Sequence, residues 1–471
     1  RLAKIPTFEP CDSQEAKDFV KKAFELSEKF DIPCLLHSVM RVSHCKSVVE
    51  LGPRDENTKV VERFPRNLPK YNCTAMYARV MHAKLEEKIK AIAEYAETCG
   101  IDRVEMHDTK MGIICTGVMY AYIKDVFPQA SVLKLGMSYP LPEKMIKDFA
   151  SKVDKLYVIE ELDPVIEEQV KSMGVDCVGK ELFPPCYELL PDRLLDICLE
   201  HGILKDDPRT MEVKPVEGLP GRNPVLCAGC PHRSPYFVLK KHDIACAGDI
   251  GCYNLGAQPP FEAQHTMGCM GASIGQLHGM SLANLPENRV CTIGDGTFWH
   301  SGLPALANMV HNNGRGVVIL MDNANTAMTG HQDNPATDYR VLRSVPATEI
   351  DIAGVCSAMG VKLVKTVNAF DVKEVEDGLK ECMAFDGVSV LITKGECVQF
   401  NKFSSTPYEV DSNKCIACQT CFKCGCPAIM VSDEENPKTH KKKCRIDPTL
   451  CNGCGICSQV CPVKAIAKKE D

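Results

Sequence analysis

The cysteines near the end of the chain are the residues whose spacing most clearly predicts chemistry. Ten of the 28 cysteines lie between Cys415 and Cys461. From Cys451 the pattern is C-x2-C-x2-C-x3-C-P, which ends at Cys461 followed by Pro462. In this pattern three thiolates hold one iron–sulfur cubane, and the fourth reaches a second cluster. The tail therefore predicts two 4Fe–4S clusters.

An earlier run of cysteines has the same spacing except for one insertion. It begins at Cys415 and ends at Cys426, with Cys424 as an extra thiol inside the last gap. Since the fourth cysteine of each run ligates the cluster of the other run, the ligands divide into two sets. The first tail set is Cys415, Cys418, Cys421 and Cys461, and the second tail set is Cys426, Cys451, Cys454 and Cys457.

Other interpretations of the tail stay open. A pair of structural zinc sites is the alternative, although two Cys-Pro endings favour clusters. Cys424 could replace Cys426 as the ligand, and Cys444 has no assigned role. The basic run at residues 438–445 is interpreted as a solvated loop. A docking surface for an acidic ferredoxin is the alternative, because complementary charge speeds encounter.

Upstream, polar residues follow two apolar strands in a way that predicts a magnesium site. A strand at residues 290–293 runs into Gly294, Asp295 and Gly296, and a strand at residues 316–321 leads to Asn323. Mg²⁺ prefers oxygen ligands, and glycines let the backbone approach a diphosphate. We expect Asp295, the Asn323 side chain and the Asn325 carbonyl to bind Mg²⁺. The spacing resembles that of thiamine-diphosphate enzymes; a turn without a ligand is the alternative.

A glycine-rich segment at residues 262–279 precedes this turn and contains His265, Met267 and Gly268. Because the segment opens a helix, its backbone amides could face a phosphate or the aminopyrimidine of the cofactor. Tight packing of a helix through small residues is the alternative.

These residues need a scaffold, and the apolar pattern predicts one. Apolar residues at three- and four-residue spacing predict a helix over Ser13–Phe30, and residues 32–40 predict a buried strand. A turn is predicted around Pro286. Strands that alternate with helices predict α/β domains, each with a parallel sheet. In the second such region the predicted elements are a helix at residues 80–99 and strands at 112–115, 131–135 and 156–160.

Composition limits the function classes. A chain of 471 residues exceeds one compact core, so several domains are expected. A net charge of −7 argues against a nucleic-acid binder, and no apolar stretch is long enough to predict a membrane span. The first residues lack a signal-peptide core, so the cysteines are not expected to form disulfides. A cytoplasmic protein, from an anaerobic host, is expected.

The segment MDNANTAMTGHQ after the glycine turn resembles the diphosphate-binding domain of 2-oxoacid:ferredoxin oxidoreductases. The string LCAGCPHRSPY, with the ferredoxin tail, is similar to the alpha subunits of the indolepyruvate-oxidising members. The fold implied is multidomain α/β, a parallel-sheet thiamine-diphosphate-binding fold with a C-terminal two-cluster ferredoxin domain. The implied segments are the end of a pyrimidine-binding domain (1–50), a linker (51–78), a transketolase-C-like domain (79–207), a second linker (208–224), the diphosphate-binding domain (225–405) and the ferredoxin-like domain (411–471).

The resemblance also implies a third 4Fe–4S cluster close to the thiamine. Similarly placed cysteines hold such a cluster in related enzymes, and here they are named the proximal set. The proximal set is Cys227, Cys230, Cys252 and Cys397. A C-x2-C without a ligand, with two core cysteines elsewhere, is the alternative. His232 could contact the diphosphate or the substrate, or it could be a structural residue that makes a hydrogen bond.

The reaction implied by the resemblance is the oxidative decarboxylation of an aryl 2-oxoacid, indole-3-pyruvate, with coenzyme A. The products would be indole-3-acetyl-CoA, CO2 and reduced ferredoxin, and the implied partner is a small beta subunit in a hetero-oligomer. The alternatives are another 2-oxoacid such as pyruvate or 2-oxoglutarate, a non-oxidative decarboxylase, and a non-catalytic electron-transfer subunit.

The carboxylate that activates thiamine is not identified in this sequence. In the family that glutamate lies in the pyrimidine-binding domain, upstream of Arg1, so we expect a truncated chain that is inactive alone. Glu9, Glu15, Glu25 and Glu28 are nearest in sequence, but they are predicted to lie on a surface loop and on the polar face of the first helix.

Overall fold

The computed structural model describes residues 2–54, 64–209, 216–284, 289–340, 345–400 and 406–469. The chain divides into two compact units, Arg1–Pro215 and Val216–Asp471. Parts of the predicted linkers, residues 55–63 and 210–215, and the predicted turn around Pro286 lie outside the described residues. Within the described ranges, no helix combines the length and apolar character needed to cross a membrane.

The first unit alternates strands and helices. Its strands are β1 (Thr7–Phe8), β2 (Leu35–Leu36), β3 (Arg103–Glu105), β4 (Asp108–Thr116), β5 (Ala130–Leu135), β6 (Met137–Tyr139) and β7 (Leu156–Val158). Its helices are α1 (Ser13–Phe30), α2 (Met40–Ser43), α3 (Leu68–Tyr71), α4 (Ala75–Ala96), α5 (Met119–Val126), α6 (Glu143–Ala150), α7 (Val165–Ser172) and α8 (Pro191–Glu200). In the larger sheet β4 pairs in parallel with β5 and β7, while β3 is antiparallel to β5.

Two predicted elements of this unit are corrected by the structure. The strand predicted at residues 32–40 is wrong, since only Leu35 and Leu36 form a strand and Leu35 is exposed. The cause is the short partner β1, which offers two residues for pairing at the edge of a small sheet. The helix predicted at residues 80–99 spans Ala75–Ala96 instead. The helix predicted over Ser13–Phe30 is confirmed.

Glu15 is a further correction, because it does not lie on a solvated helix face. Its carboxylate accepts hydrogen bonds from Lys134, from Arg103 and, at 2.9 Å, from the Cys11 amide. Lys134 is fully buried on β5. Burial alone would raise the pKa of Glu15, but Lys134 and the Cys11 amide lower it on balance. Glu15 therefore links α1 to β3 and β5 of the sheet through buried and half-buried ion pairs.

The second unit contains both the diphosphate-binding region and the tail. Its strands are β8 (Cys246–Ala247), β9 (Gln264–Thr266), β10 (Val290–Gly294), β11 (Gly316–Asp322), β12 (Tyr339–Arg340), β13 (Val345–Pro346), β14 (Leu363–Asn368), β15 (Val388–Lys394), β16 (Tyr408–Val410), β17 (Ile429–Glu435), β18 (Lys442–Ile446) and β19 (Ile466–Lys468). Its helices are α9 (Arg233–Lys241), α10 (Ala272–Leu282), α11 (Asp295–Thr297), α12 (Leu303–His311), α13 (Ile352–Ala358), α14 (Val372–Ala384) and α15 (Ile456–Val460).

A six-stranded sheet organises the described part of this unit, in the order β14-β15-β11-β10-β8-β9. Every neighbouring pair is parallel. Strand β11 is buried along its whole length, as expected when helices cover both faces of a parallel sheet. Because the strands are parallel, β10, β11 and β15 present their carboxyl ends at one edge.

The tail packs directly on this domain. The Gln459 side chain donates to the Phe370 carbonyl at 2.7 Å and accepts from the Val372 amide at 2.9 Å. The loop predicted at residues 438–445 is only partly confirmed, since residues 438–441 lie in the turn between β17 and β18 and residues 442–445 belong to β18. Alternate residues of β18 face inward, which buries Cys444 and leaves Arg445 exposed.

Candidate cofactor and cluster sites

Strands β10 and β11 end in acidic residues at the same edge of the sheet. Because Gly294 is paired with Met321, the following residues, Asp295 and Asp322, lie side by side. Asp295 is 2% exposed and Asp322 is 6% exposed. Burial, and then the Asp322 carboxylate, raise the pKa of Asp295 to about 7. Two buried carboxylates next to each other fit a divalent cation, which would offset their repulsion.

The remaining predicted oxygen ligands lie at the same edge. Asn323 and Asn325 are both buried, and the Asn325 amide donates to Asp295 Oδ2 at 3.0 Å. Asn334 Nδ2 donates to the same oxygen at 2.9 Å. Sequence reasoning missed Asp322 and Asn334 as members of the site. Asp322 could have been found as an acidic residue at a strand end, whereas Asn334 lies in a loop without a pattern.

The glycines of this turn are needed for packing as well as for any ligand. A Cβ on Gly294 would lie 2.4 Å from the Tyr253 ring, and one on Gly296 would lie 2.3 Å from Thr326 Oγ1. Both positions therefore exclude a side chain on steric grounds. The close approach of a diphosphate to this backbone remains a prediction.

The start of α10 is capped by a residue that sequence reasoning missed. Asp249 is fully buried, and it accepts hydrogen bonds from the amides of Gly271 at 2.8 Å and Ser273 at 3.0 Å. These two amides are therefore satisfied within the protein and are not free for a phosphate. His265 and Met267 are exposed in the segment before the helix, and Gly268 beside them is half-buried.

His232 is buried near the turn that contains Asp295 and is not exposed to solvent. It is 3% exposed, and burial lowers its pKa to about 4, so the ring is neutral near pH 7. The ring packs edge-on against Tyr253, with ring centroids 5.9 Å apart. The Tyr253 hydroxyl is hydrogen-bonded to Thr297 Oγ1 at 3.0 Å, directly after the glycine turn. His232 thus supports the turn through Tyr253.

The cysteines of the proximal set come together beside this turn. Burial raises the pKa of the Cys252 thiol, and the nearby thiols of Cys397 and Cys227 raise it further. Burial also raises the pKa of Cys230 to about 12, with smaller effects from Arg233, which lowers it, and from Cys227 and Cys252, which raise it. These mutual effects mean that the four thiols occupy one region.

The first tail set lines a small cavity of about 20 Å³, which Cys444 also lines. Cys415 Sγ and Cys444 Sγ are 4.0 Å apart. Cys418 is exposed, and Thr420 Oγ1 donates to its sulfur at 3.4 Å. Five thiols, rather than four, therefore face this cavity.

The second tail set is also gathered in one place. Burial raises the pKa of the Cys457 thiol, and the thiols of Cys454, Cys424, Cys426 and Cys451 raise it further. Both Cys424 and Cys426 lie near the set, so the choice between them stays open. All 28 cysteines are free thiols. Across the described ranges, no three His, Cys, Asp or Glu side chains are arranged around a point suited to a single metal ion.

Comparison with protein families gives two matches in the second unit. Residues 249–393 match the family described as "Thiamine pyrophosphate enzyme, C-terminal TPP binding domain". Residues 445–467 match the family described as "4Fe-4S binding domain". The first match includes the Asp295 turn and both acidic strand ends, and the second includes the second half of the tail.

Curated relatives match over the whole chain. "Indolepyruvate oxidoreductase subunit IorA" of Pyrococcus horikoshii is 36% identical, over 100% of this chain and 78% of that protein. The subunit of the same name from Archaeoglobus fulgidus is 36% identical, over 99% of this chain and 77% of its own length. A solved 2-oxoglutarate:ferredoxin oxidoreductase from Magnetococcus marinus, with a TM-score of 0.34, 19% identity and coverage of 40% of this chain and 67% of its own, is too distant to carry an argument. The chain belongs to the IorA family of indolepyruvate oxidoreductase alpha subunits, which places it among the thiamine-diphosphate oxidoreductases that carry iron–sulfur domains.

Proposed function

We propose that this subunit carries out the oxidative decarboxylation of indole-3-pyruvate with coenzyme A, and passes the electrons through three 4Fe–4S clusters to ferredoxin. The observation that carries the proposal is the contact between the magnesium site and the proximal set. The Cys397 amide donates to the Asn323 carbonyl at 3.2 Å. An electron acceptor held by Cys397 therefore lies next to the group that binds the diphosphate.

When bound, thiamine diphosphate would supply the electron sink for decarboxylation of a 2-oxoacid. Asp295, Asn323 and the Asn325 carbonyl would bind the Mg²⁺ that accompanies the diphosphate, and Asp322 would add negative charge beside them. A cavity of about 270 Å³ lies beside Asn323, Asn325 and Cys397. His265, Met267 and Gly268, in the segment before α10, would contact the bound cofactor.

The tail distinguishes this proposal from a non-oxidative decarboxylase. Such an enzyme has no use for cysteine sets that are packed on the diphosphate-binding domain through Gln459. Ferredoxin receives electrons at the first tail set, where Cys418 is exposed. The small beta subunit completes a hetero-oligomer in the cytoplasm, whose reducing conditions preserve free thiols. The aryl substrate is proposed because the relatives are named for indolepyruvate.

The reaction is tested by an anaerobic assay of ferredoxin reduction by the complete complex with coenzyme A. We expect a higher kcat/KM for indole-3-pyruvate than for pyruvate or 2-oxoglutarate. A preference for pyruvate would contradict the aryl substrate. Decarboxylation that leaves ferredoxin oxidised would contradict the oxidative reaction itself.

Asp295→Ala should abolish the binding of thiamine diphosphate with Mg²⁺ and leave the iron content unchanged. The physical reason is the loss of a buried carboxylate that faces the cation. Titration calorimetry measures the affinity, and Asp386→Ala, at an exposed carboxylate that pairs with Arg315, is the control. If the Asp295 variant bound thiamine diphosphate with undiminished affinity, Asp295 would not be part of the site.

Cys397→Ser should remove about a third of the iron, from about twelve to about eight atoms per chain. A serine hydroxyl is a poor substitute for a thiolate ligand, so the proximal cluster is lost. Cys382→Ser is the matched control, because Cys382 is a buried thiol in the hydrophobic core. Wild-type protein with about eight irons, unchanged by Cys397→Ser, would exclude the proximal cluster.

Among the unassigned thiols of the tail, Cys426→Ala should remove one cluster, whereas Cys424→Ala and Cys444→Ala should keep all the iron. A cubane takes four thiolates, and each tail set already has four members without Cys424 and Cys444. Iron analysis and electron paramagnetic resonance report the loss. If Cys424→Ala loses a cluster and Cys426→Ala does not, Cys424 rather than Cys426 is the cluster ligand.

A further inference from the structure

Arg233, the first residue of α9, is buried between the diphosphate-binding domain and the tail. It is 1% exposed. Its guanidinium donates to main-chain carbonyls: Nε and Nη2 reach the Cys227 oxygen at 2.9 and 2.7 Å, and Nη1 reaches the Cys424 oxygen at 2.9 Å. Nη2 also donates to the Leu226 carbonyl. The side chain therefore bridges two cysteine-bearing loops.

In the described part of the chain, the hydrogen-bond partners of Arg233 are neutral carbonyls, and no carboxylate forms an ion pair with it. An arginine side chain stays positively charged inside a protein, because its guanidinium does not lose a proton there. A buried cation without a counter-charge is strongly unfavourable. A negative group beside the guanidinium would remove that cost.

The surrounding thiols can supply the negative group. The guanidinium bonds to the carbonyl of Cys227, in the proximal set, and to the carbonyl of Cys424, two residues before Cys426 of the second tail set. Its charge therefore lies beside both sets. A 4Fe–4S core bound by four thiolates carries a net negative charge, and that charge helps to set its potential.

The same two loops also touch through a neutral contact. Asn452 Nδ2 donates to the Ala228 carbonyl at 2.6 Å. Gly229, with φ +74°, lies so close that an added Cβ would be 3.1 Å from the Asn452 Cβ. The loop that begins the proximal set is thus packed against the loop between Cys451 and Cys454.

We propose that Arg233 is a positioning residue that provides one shared positive charge for two iron–sulfur clusters, held by the proximal set and the second tail set. The inference rests on the proposed function, because it requires a cluster in each set. Reduction adds negative charge to a cluster, so a buried cation nearby favours the reduced state. Arg233 therefore raises both midpoint potentials.

The test compares Arg233→Met, Arg233→Lys and Asn452→Ala in the holo-complex, by iron analysis and by redox titration followed with electron paramagnetic resonance. Arg233→Met should shift the reduction equilibrium of both clusters at least tenfold toward the oxidised form, about 59 mV for a one-electron couple. Arg233→Lys keeps the charge and should stay near the wild-type potentials. Asn452→Ala, which removes the neutral contact between the same loops, should also leave them unchanged.

Unchanged potentials in a fully loaded Arg233→Met variant would overturn the proposal. If the Arg233→Met variant does not assemble its clusters, the Arg233→Lys variant is the decisive test. Clusters that assemble in it with wild-type potentials would support a role for the charge. Failure of the clusters to assemble would mean that Arg233 acts only through its hydrogen bonds to the main chain, which would overturn the proposal. The proposed function is tested independently of Arg233. It would be contradicted if the wild-type protein held about eight iron atoms per chain and gave no electron paramagnetic resonance signal from a proximal cluster. The iron content of the wild type thus tests the clusters, and the variants test Arg233.

Discussion

Two carboxyl groups buried side by side cannot both ionise without a cost in free energy, and the second unit holds such a pair at the edge of its main sheet. The parallel pairing of β10 with β11 brings Asp295 and Asp322 to one edge of the sheet. Neither carboxylate is exposed enough for water to screen the repulsion. Hydrogen bonds from Asn325 and Asn334 stabilise Asp295 only in part. A divalent cation bound between the two carboxyl groups would offset this repulsion, and residues 249–393 match a family described as binding thiamine pyrophosphate.

The sulfur chemistry depends on the same sheet. Cys397 follows β15, and its amide is bonded to the carbonyl of Asn323, which follows β11, so the sheet fixes this thiol relative to the proposed magnesium site. Cys227 and Cys230 come from the loop before α9, and Arg233 on that helix bonds to the carbonyl of Cys424 in the tail. The fold therefore brings together loops that are far apart in the sequence, such as those of Arg233 and Cys424, which are 191 residues apart.

Local spacing predicted much of this arrangement. Each of these features is defined by residues that are close together in the sequence, so the sequence pattern alone predicts it. They are the glycine turn, the two strands before the acidic residues and the cysteine runs. The contacts of Asp249, Asn334 and Arg233 were missed because each depends on partners that only the folded chain brings near. Glu15 has the spacing of a solvated residue, yet a buried lysine on β5 pairs with it.

The predicted strand at residues 32–40 failed for a related reason. Apolar content favours burial, but a strand extends only as far as its partner, and β1 supplies two residues. The helix that spans Ala75–Ala96 began earlier than predicted, since the polar segment before it also forms helical turns. Element type was therefore easier to predict than element length.

The contacts of Gln459 and Asn452 also bear on how such proteins can be recombined. Neither residue belongs to the cysteine pattern, yet each bonds to the main chain of the diphosphate-binding domain. A ferredoxin module borrowed from another protein would reproduce the sulfur spacing without these anchors. Such a module would lose these two side-chain hydrogen bonds to the domain, although the Arg233 bond to the main-chain carbonyl of Cys424 does not depend on a side chain of the tail. When a ferredoxin module is exchanged between proteins of this family, Gln459 and Asn452 therefore need to be kept together with the cysteines.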